Sequence, residues 1–114
     1  MRDDSARLED IVVAARAIAG YLARDGADDD ILFDAIRVRL IEIGEAAKGL
    51  SESTRAQQPS VDWVPIARMR DLLAHRYFDT AHSIVMQTAM KDVPVLLSVV
   101  ERMRAGGEEE ARGS

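Results

Sequence analysis

Arg70, Asp71, His75 and Tyr77 fall within eight residues of one another in the stretch Ala67-Arg68-Met69-Arg70-Asp71-Leu72-Leu73-Ala74-His75-Arg76-Tyr77-Phe78. An arginine and a histidine are a sufficient kit for cleaving RNA without a metal ion. A base removes the 2′-hydroxyl proton, the oxygen attacks its own phosphodiester, and the departing 5′-oxygen needs a proton in return. Histidine titrates in the range that suits both transfers. A guanidinium presents paired donors to the charge that builds on the phosphoryl oxygens. The bland alternative is a histidine that caps a helix end or faces water.

Spacing complicates the chemistry. On a regular helix at about 100° per residue, Arg70 lies within roughly 20° of Tyr77 but about 140° from His75. A distorted helix end, long side chains, or two subunits could each bring the pair together; a dimer cleft is favoured. Trp63, Ile66, Ala67, Leu73 and Ala74 share the arc of Arg70. A charge on such a stripe requires a partner.

The elements that must position these residues read as helices throughout. The first pattern runs from Ser5, a plausible N-cap, to Arg24, with Leu8, Ile11, Val12, Ala15, Ile18, Ala19 and Leu22 on one face and Asp25-Gly26 as its stop. The second, Asp30 to Leu50, carries two stripes: Leu32, Ile36, Leu40, Ile43, Ala47 and Leu50, and then Ile31, Ala35, Val38, Glu42, Glu45, Ala46 and Gly49. A helix apolar on two sides is central in its domain or shared with a partner. Glu42 and Glu45 are the candidates to pair with Arg70, unless they face water. Ser51 to Ser60 is a polar connection with room for a helical turn. Asp62 can cap a third helix that carries the motif and ends near Tyr77 to Asp79. Asp79 or Thr80 can cap a fourth, which Pro94 should kink or restart with Asp92 as the new cap. Val93, Leu96, Leu97, Val100 and Met103 continue its apolar face. The expected fold is therefore all-α, a small antiparallel bundle of four to five helices forming a homodimer. One domain over residues 1–105 precedes a disordered tail at 106–114.

Composition removes several functions. The 114 residues contain no cysteine, which excludes disulfides and thiolate chemistry, and no pair of histidines sits at metal-ligand spacing. No metal site or cofactor is expected. A net charge of -5 argues against a broad nucleic-acid-binding surface, yet Arg68, Arg70 and Arg76 could furnish a small basic cleft. No apolar run reaches the ~18–20 residues of a membrane span, and Met1-Arg2-Asp3-Asp4 has no secretory character. A cytoplasmic location is the expectation.

The pattern as a whole resembles the HepT-like family of the HEPN superfamily, small helical ribonuclease toxins marked by Arg-x-x-x-x-His-x-Tyr. The chain offers Arg70-Asp71-Leu72-Leu73-Ala74-His75-Arg76-Tyr77, followed by Phe78. Arg7-Leu8-Glu9-Asp10-Ile11, Leu40-Ile41-Glu42-Ile43-Gly44-Glu45-Ala46-Ala47-Lys48, Pro59-Ser60-Val61-Asp62-Trp63 and Val93-Pro94-Val95-Leu96-Leu97 also fit, in order, so that the likeness covers roughly residues 5 to 104. The resemblance implies an HEPN-like bundle with Arg70 and His75 as the catalytic pair of a metal-independent ribonuclease, in a cleft between two subunits. It implies that Tyr77 receives AMP from a cognate antitoxin, a nucleotidyltransferase of the MNT type. Glu45 would orient Arg70, with Asp71 beside it; that assignment follows from helical geometry. The chain departs from the family in having Ala81 where an acidic residue usually starts the next helix, Met86 where an aromatic is common, and His82, read as a surface residue. A different class of function is a non-catalytic helical subunit that docks a nucleotidyltransferase or a nucleotide.

Overall fold

Each long helix buries a face that its sequence period marks out, and the second helix is the one on which the others converge. The computed structural model describes the backbone of residues 3–26, 28–74 and 82–113, and the side chains of these as far as residue 106, Ser83 excepted. The order is α1 (Asp4–Leu22), α2 (Asp29–Gly49), the short α3 (Glu52–Ala56), α4 (Trp63–Ala74), the short α5 (His82–Gln87), a π-helical turn (Thr88–Asp92) and α6 (Val93–Gly113). The described residues are thus all-α, as expected, and none of their helices is long and apolar enough to cross a membrane.

Acidic caps start the first two helices. Asp3 accepts from the Ala6 amide at 2.9 Å, so α1 is capped two residues earlier than the Ser5 expected from sequence. Asp28 does the same for α2, accepting from the amides of Asp30 and Ile31 at 2.9 and 3.3 Å. Between them Gly26 takes a positive φ of 75°, a conformation glycine adopts without steric cost. This turn folds α2 back antiparallel to α1. Ser51 then caps α3, and the Asp4 carboxylate accepts from the Ser51 amide at 3.0 Å and from the hydroxyls of Ser51 and Thr54. The start of α1 is thereby tied to the chain leaving α2.

Ile11, Val12 and Ile18 of α1 meet Ile36, Leu40 and Ile43 of α2 in a fully buried core that also takes Leu73 from α4 and Val100 from α6. α2 packs against both α1 and α4, while α6 lies along α1. The two-sided apolar character of α2 is therefore largely explained by its central place within one chain. Only Ile31 and Val38 of its second stripe remain exposed among the large apolar residues there. The Trp63 indole, buried at the start of α4, donates to the carbonyls of Arg55 and Gln58 and fastens the connection beneath it.

Two expectations need correction. Pro94 does not begin a newly capped helix after Asp92. The helical run passes through Asp92 in the π turn, whose closing bond is the Val93 amide donating to the Thr88 carbonyl. Proline lacks the N–H for an ordinary bond to the residue four back, and a turn widened by one residue just before it absorbs that mismatch. The backbone is also helical from Gly106 to Gly113, where composition suggests a tail. Glu, Ala and Arg, which make up most of that stretch, are good helix formers.

Candidate active site

Gly44 decides how closely α4 can approach α2. A Cβ built on it would stand 2.7 Å from the Arg70 backbone nitrogen and 3.0 Å from the Ile66 carbonyl oxygen. Both are main-chain atoms of α4 and cannot swing away. A mid-helix glycine costs about 1 kcal/mol relative to alanine; here it permits direct backbone contact. That contact brings Arg70 beside Glu45, the next residue of α2.

The Arg70 guanidinium donates through Nε to Glu45 Oε2 at 2.8 Å and through one terminal nitrogen to Asp71 Oδ1 at 2.9 Å. The expected partner is thus confirmed as Glu45, while Glu42 pairs with Arg39 at 3.1 Å on its own helix. Arg70 is not buried in the apolar stripe: its side chain is 43% exposed, at the rim of the α2–α4 seam. Among the described residues its second terminal nitrogen has no hydrogen-bond partner. The hydrogen bond to Asp71, followed by the charge of Glu45, holds the Arg70 pKa above its ordinary value. Arg70 is therefore a permanent cation, held at the rim between two exposed carboxylates and open toward solvent.

Of the other residues singled out by sequence, Arg68 is exposed on α4. His75, Arg76 and Tyr77 lie outside the described residues. His82 stacks on Phe33 of α2, ring centres 4.5 Å apart and planes 21° apart. Among the described residues no cluster of three or more His, Cys, Asp or Glu could hold a metal ion.

Sequence reasoning missed Gly44 and Arg37. The first had a signal, since an interior glycine in so regular a helix asks for a close neighbour. Arg37 had none. It lies one turn after Phe33 on α2, and its Nε donates to the Leu73 carbonyl at 3.1 Å, four residues earlier in the chain than Tyr77.

On the open side of α4 lies an apolar groove of about 670 Å³ between that helix and the α5–α6 run. Leu72, Ile84 and Val95 line it and are more than half exposed. Pro65, Ile66, Met69 and Leu72 give the α4 wall of this groove, and Arg70 is not among its lining residues.

Comparison with known proteins bears on this arrangement directly. The model of the HepT-like family, described as ribonuclease HepT-like, matches residues 6–103. The chain belongs to the HepT-like ribonuclease family. A relative from Thermococcus cleftensis, named "Probable ribonuclease HepT", is 33% identical over 102 residues, covering 85% of this chain and 92% of its own. Another from Caldanaerobacter subterraneus subsp. tengcongensis, named as a candidate RNase, is 35% identical over 86 residues, 75% of this chain and 77% of its own. A third, from Methanocaldococcus jannaschii and also named as a candidate RNase, is 31% identical over 118 residues, 99% of this chain and 97% of its own. No solved structure gives a significant match. Family membership gives the class of activity, ribonuclease.

Proposed function

We propose that this HepT-like protein is a metal-independent endoribonuclease toxin whose Arg70 and His75 act in a cleft between two copies of the chain. The observation that carries the reading is the Arg70–Glu45 pair at 2.8 Å, which fixes an open guanidinium beside the motif. In this scheme His75 handles protons: the 2′-hydroxyl loses one, O2′ bonds to phosphorus, the P–O5′ bond breaks, and the 5′-oxygen takes up a proton. Arg70 offers its donors to the non-bridging oxygens as they gain charge. Glu45 holds Arg70 in place, and Asp71 occupies a donor that an arriving phosphate would claim.

The dimer reading draws support from the exposed Leu72, Ile84 and Val95 on the groove side of α4. Such a continuous apolar patch is a feature of surfaces that partners cover. In this scheme the second copy supplies the partner motif, so that Arg70 of one copy works with His75 of the other and the separation of about 140° within one helix is no obstacle. Control would come from an MNT-type nucleotidyltransferase that transfers AMP from ATP to the Tyr77 hydroxyl, with pyrophosphate leaving and the hydroxyl proton released. An adenylate two residues from His75 puts bulk and negative charge where an RNA phosphate must sit.

The test is cleavage of RNA by purified protein in excess chelator, wild type against His75→Ala. The account expects cleavage by the first and none by the second. Equal cleavage would mark a contaminant and leave the non-catalytic docking subunit as the better reading.

A further inference from the structure

We infer that Arg37 is a positioning residue for the active site: from α2 it holds the end of α4 from which the chain runs on to His75. This rests on the ribonuclease reading of Arg70 and His75. Three observations converge on it. The Arg37 guanidinium, partly buried, donates through Nε to the Leu73 carbonyl at 3.1 Å, and Leu73 is two residues before His75. The Leu73 side chain itself is 1% exposed, so both its backbone and its side chain are anchored at this point. One turn earlier on the same face of α2, Phe33 is buried and carries the stacked ring of His82, at the start of α5. One face of one helix therefore tethers the chain on both sides of the segment that contains His75 and Tyr77.

The physical consequence concerns direction. A helix carbonyl ordinarily accepts from the amide four residues on. The Leu73 carbonyl lies in the last turn of α4, and a charged donor on it holds that end of the helix. The catalytic pair needs more than Arg70 held by Glu45; the histidine must keep its distance from it. A misplacement of about 1 Å in such a pair can cost about 10²-fold in rate. Glu45 and Arg37 share the task from the same helix, one at each end of Arg70-Asp71-Leu72-Leu73.

The experiment uses the full chain with Arg37→Ala, Arg37→Lys and, as a distant control, Arg16→Ala, which removes only the surface pair with Glu101. Two readouts are taken: steady-state RNA cleavage, and the imidazole Cε1–H resonance of His75. With only two histidines in the chain, that resonance is assigned by its loss in His75→Asn. Arg37→Ala is expected to lower kcat by about 10²-fold with KM unchanged, and to move the His75 resonance. Arg37→Lys, which keeps a donor on a stem of similar reach, should recover most of both, and Arg16→Ala should change neither. An unmoved resonance with unchanged kcat in Arg37→Ala overturns the inference. So does a raised KM at unchanged kcat, which would mark direct contact with the RNA phosphate. Should the wild-type protein fail to cleave RNA, the ribonuclease reading falls, and the resonance still decides whether Arg37 positions His75.

Discussion

Two arginines meet glycines of α2, and the molecule uses the encounters in opposite ways. At Gly44 the backbone of α4 comes into contact, and the Arg70 side chain reaches the rim, paired there with the exposed Glu45. At Gly49 it is the guanidinium of Arg7 that lies over the glycine, where a Cβ would stand 2.0 Å from its Nη1. Arg7 Nε is buried with no hydrogen-bond partner among the described residues, and the Arg7 charge beside the Asp4–Ser51–Thr54 junction also favours the ionised Asp4 carboxylate. A guanidinium turned inward closes the end of the bundle, and one turned outward remains available for a phosphate. Residue type is the same in both places; what differs is whether main chain or side chain fills the space over glycine.

Substitution at Gly44 should give the largest response. Gly44→Ala must push α4 away from α2, because the obstructing atoms are Arg70 N and Ile66 O. We expect a loss of about 1–3 kcal/mol in denaturant unfolding, together with a loss of cleavage that persists at temperatures where the variant is folded. Unchanged stability would contradict the close approach. Glu45→Gln keeps the shape of the α2–α4 seam but removes the charge paired with Arg70. Its rate should fall by about 10-fold to 100-fold with little change in unfolding, which separates orientation from packing.

The other junction answers to pH. The Ser51 hydroxyl, then that of Thr54, holds the Asp4 carboxyl below its ordinary value of 3.8. A depressed folded pKa means that the unfolded chain takes up the proton first. The Asp4 contribution is therefore complete above the ordinary carboxylate value, shrinks as pH falls through it, and is gone below the folded value. Asp4→Asn should cost about 1–2 kcal/mol near neutral pH and flatten the acid limb of a stability–pH curve. A limb as steep as in wild type would show that the junction does not use the charge. Smallest of all should be Gly49→Ala. The obstacle there is the far end of a flexible side chain, and the gain in helix propensity offsets its displacement, so the change should stay within about 1 kcal/mol. A cost at Gly49 equal to that at Gly44 would erase the contrast between the two arginines.

Much of this was legible in the residues themselves. Apolar periodicity outlined the long helices, and the second stripe of α2 offered Glu42 and Glu45 as partners for Arg70, of which Glu45 is the one that pairs with it. The cap of α1 shifted by two residues because aspartates and a serine compete at that helix start. The choice of Asp3 over Ser5 depends on where the chain bends. Periodicity records which face of a helix is apolar, but it carries no information on the axial offset between two helices. The contacts that depend on that offset were therefore invisible: Gly44 against Ile66 and Arg70, Arg37 on Leu73, and the open groove between α4 and α6. The π turn before Pro94 was foreshadowed only as a disturbance. Sequence locates the missing hydrogen bond of a proline without saying whether a kink or a wider turn will absorb it.

The central claim is that the outward-turned Arg70 serves the reacting phosphate. Its most direct test is the rate of RNA cleavage in excess chelator for Arg70→Ala against wild type, with both shown to be folded. Loss of one charge-stabilising donor group predicts a fall of about 10²–10³-fold in kcat. Cleavage by Arg70→Ala at the wild-type rate would contradict the account.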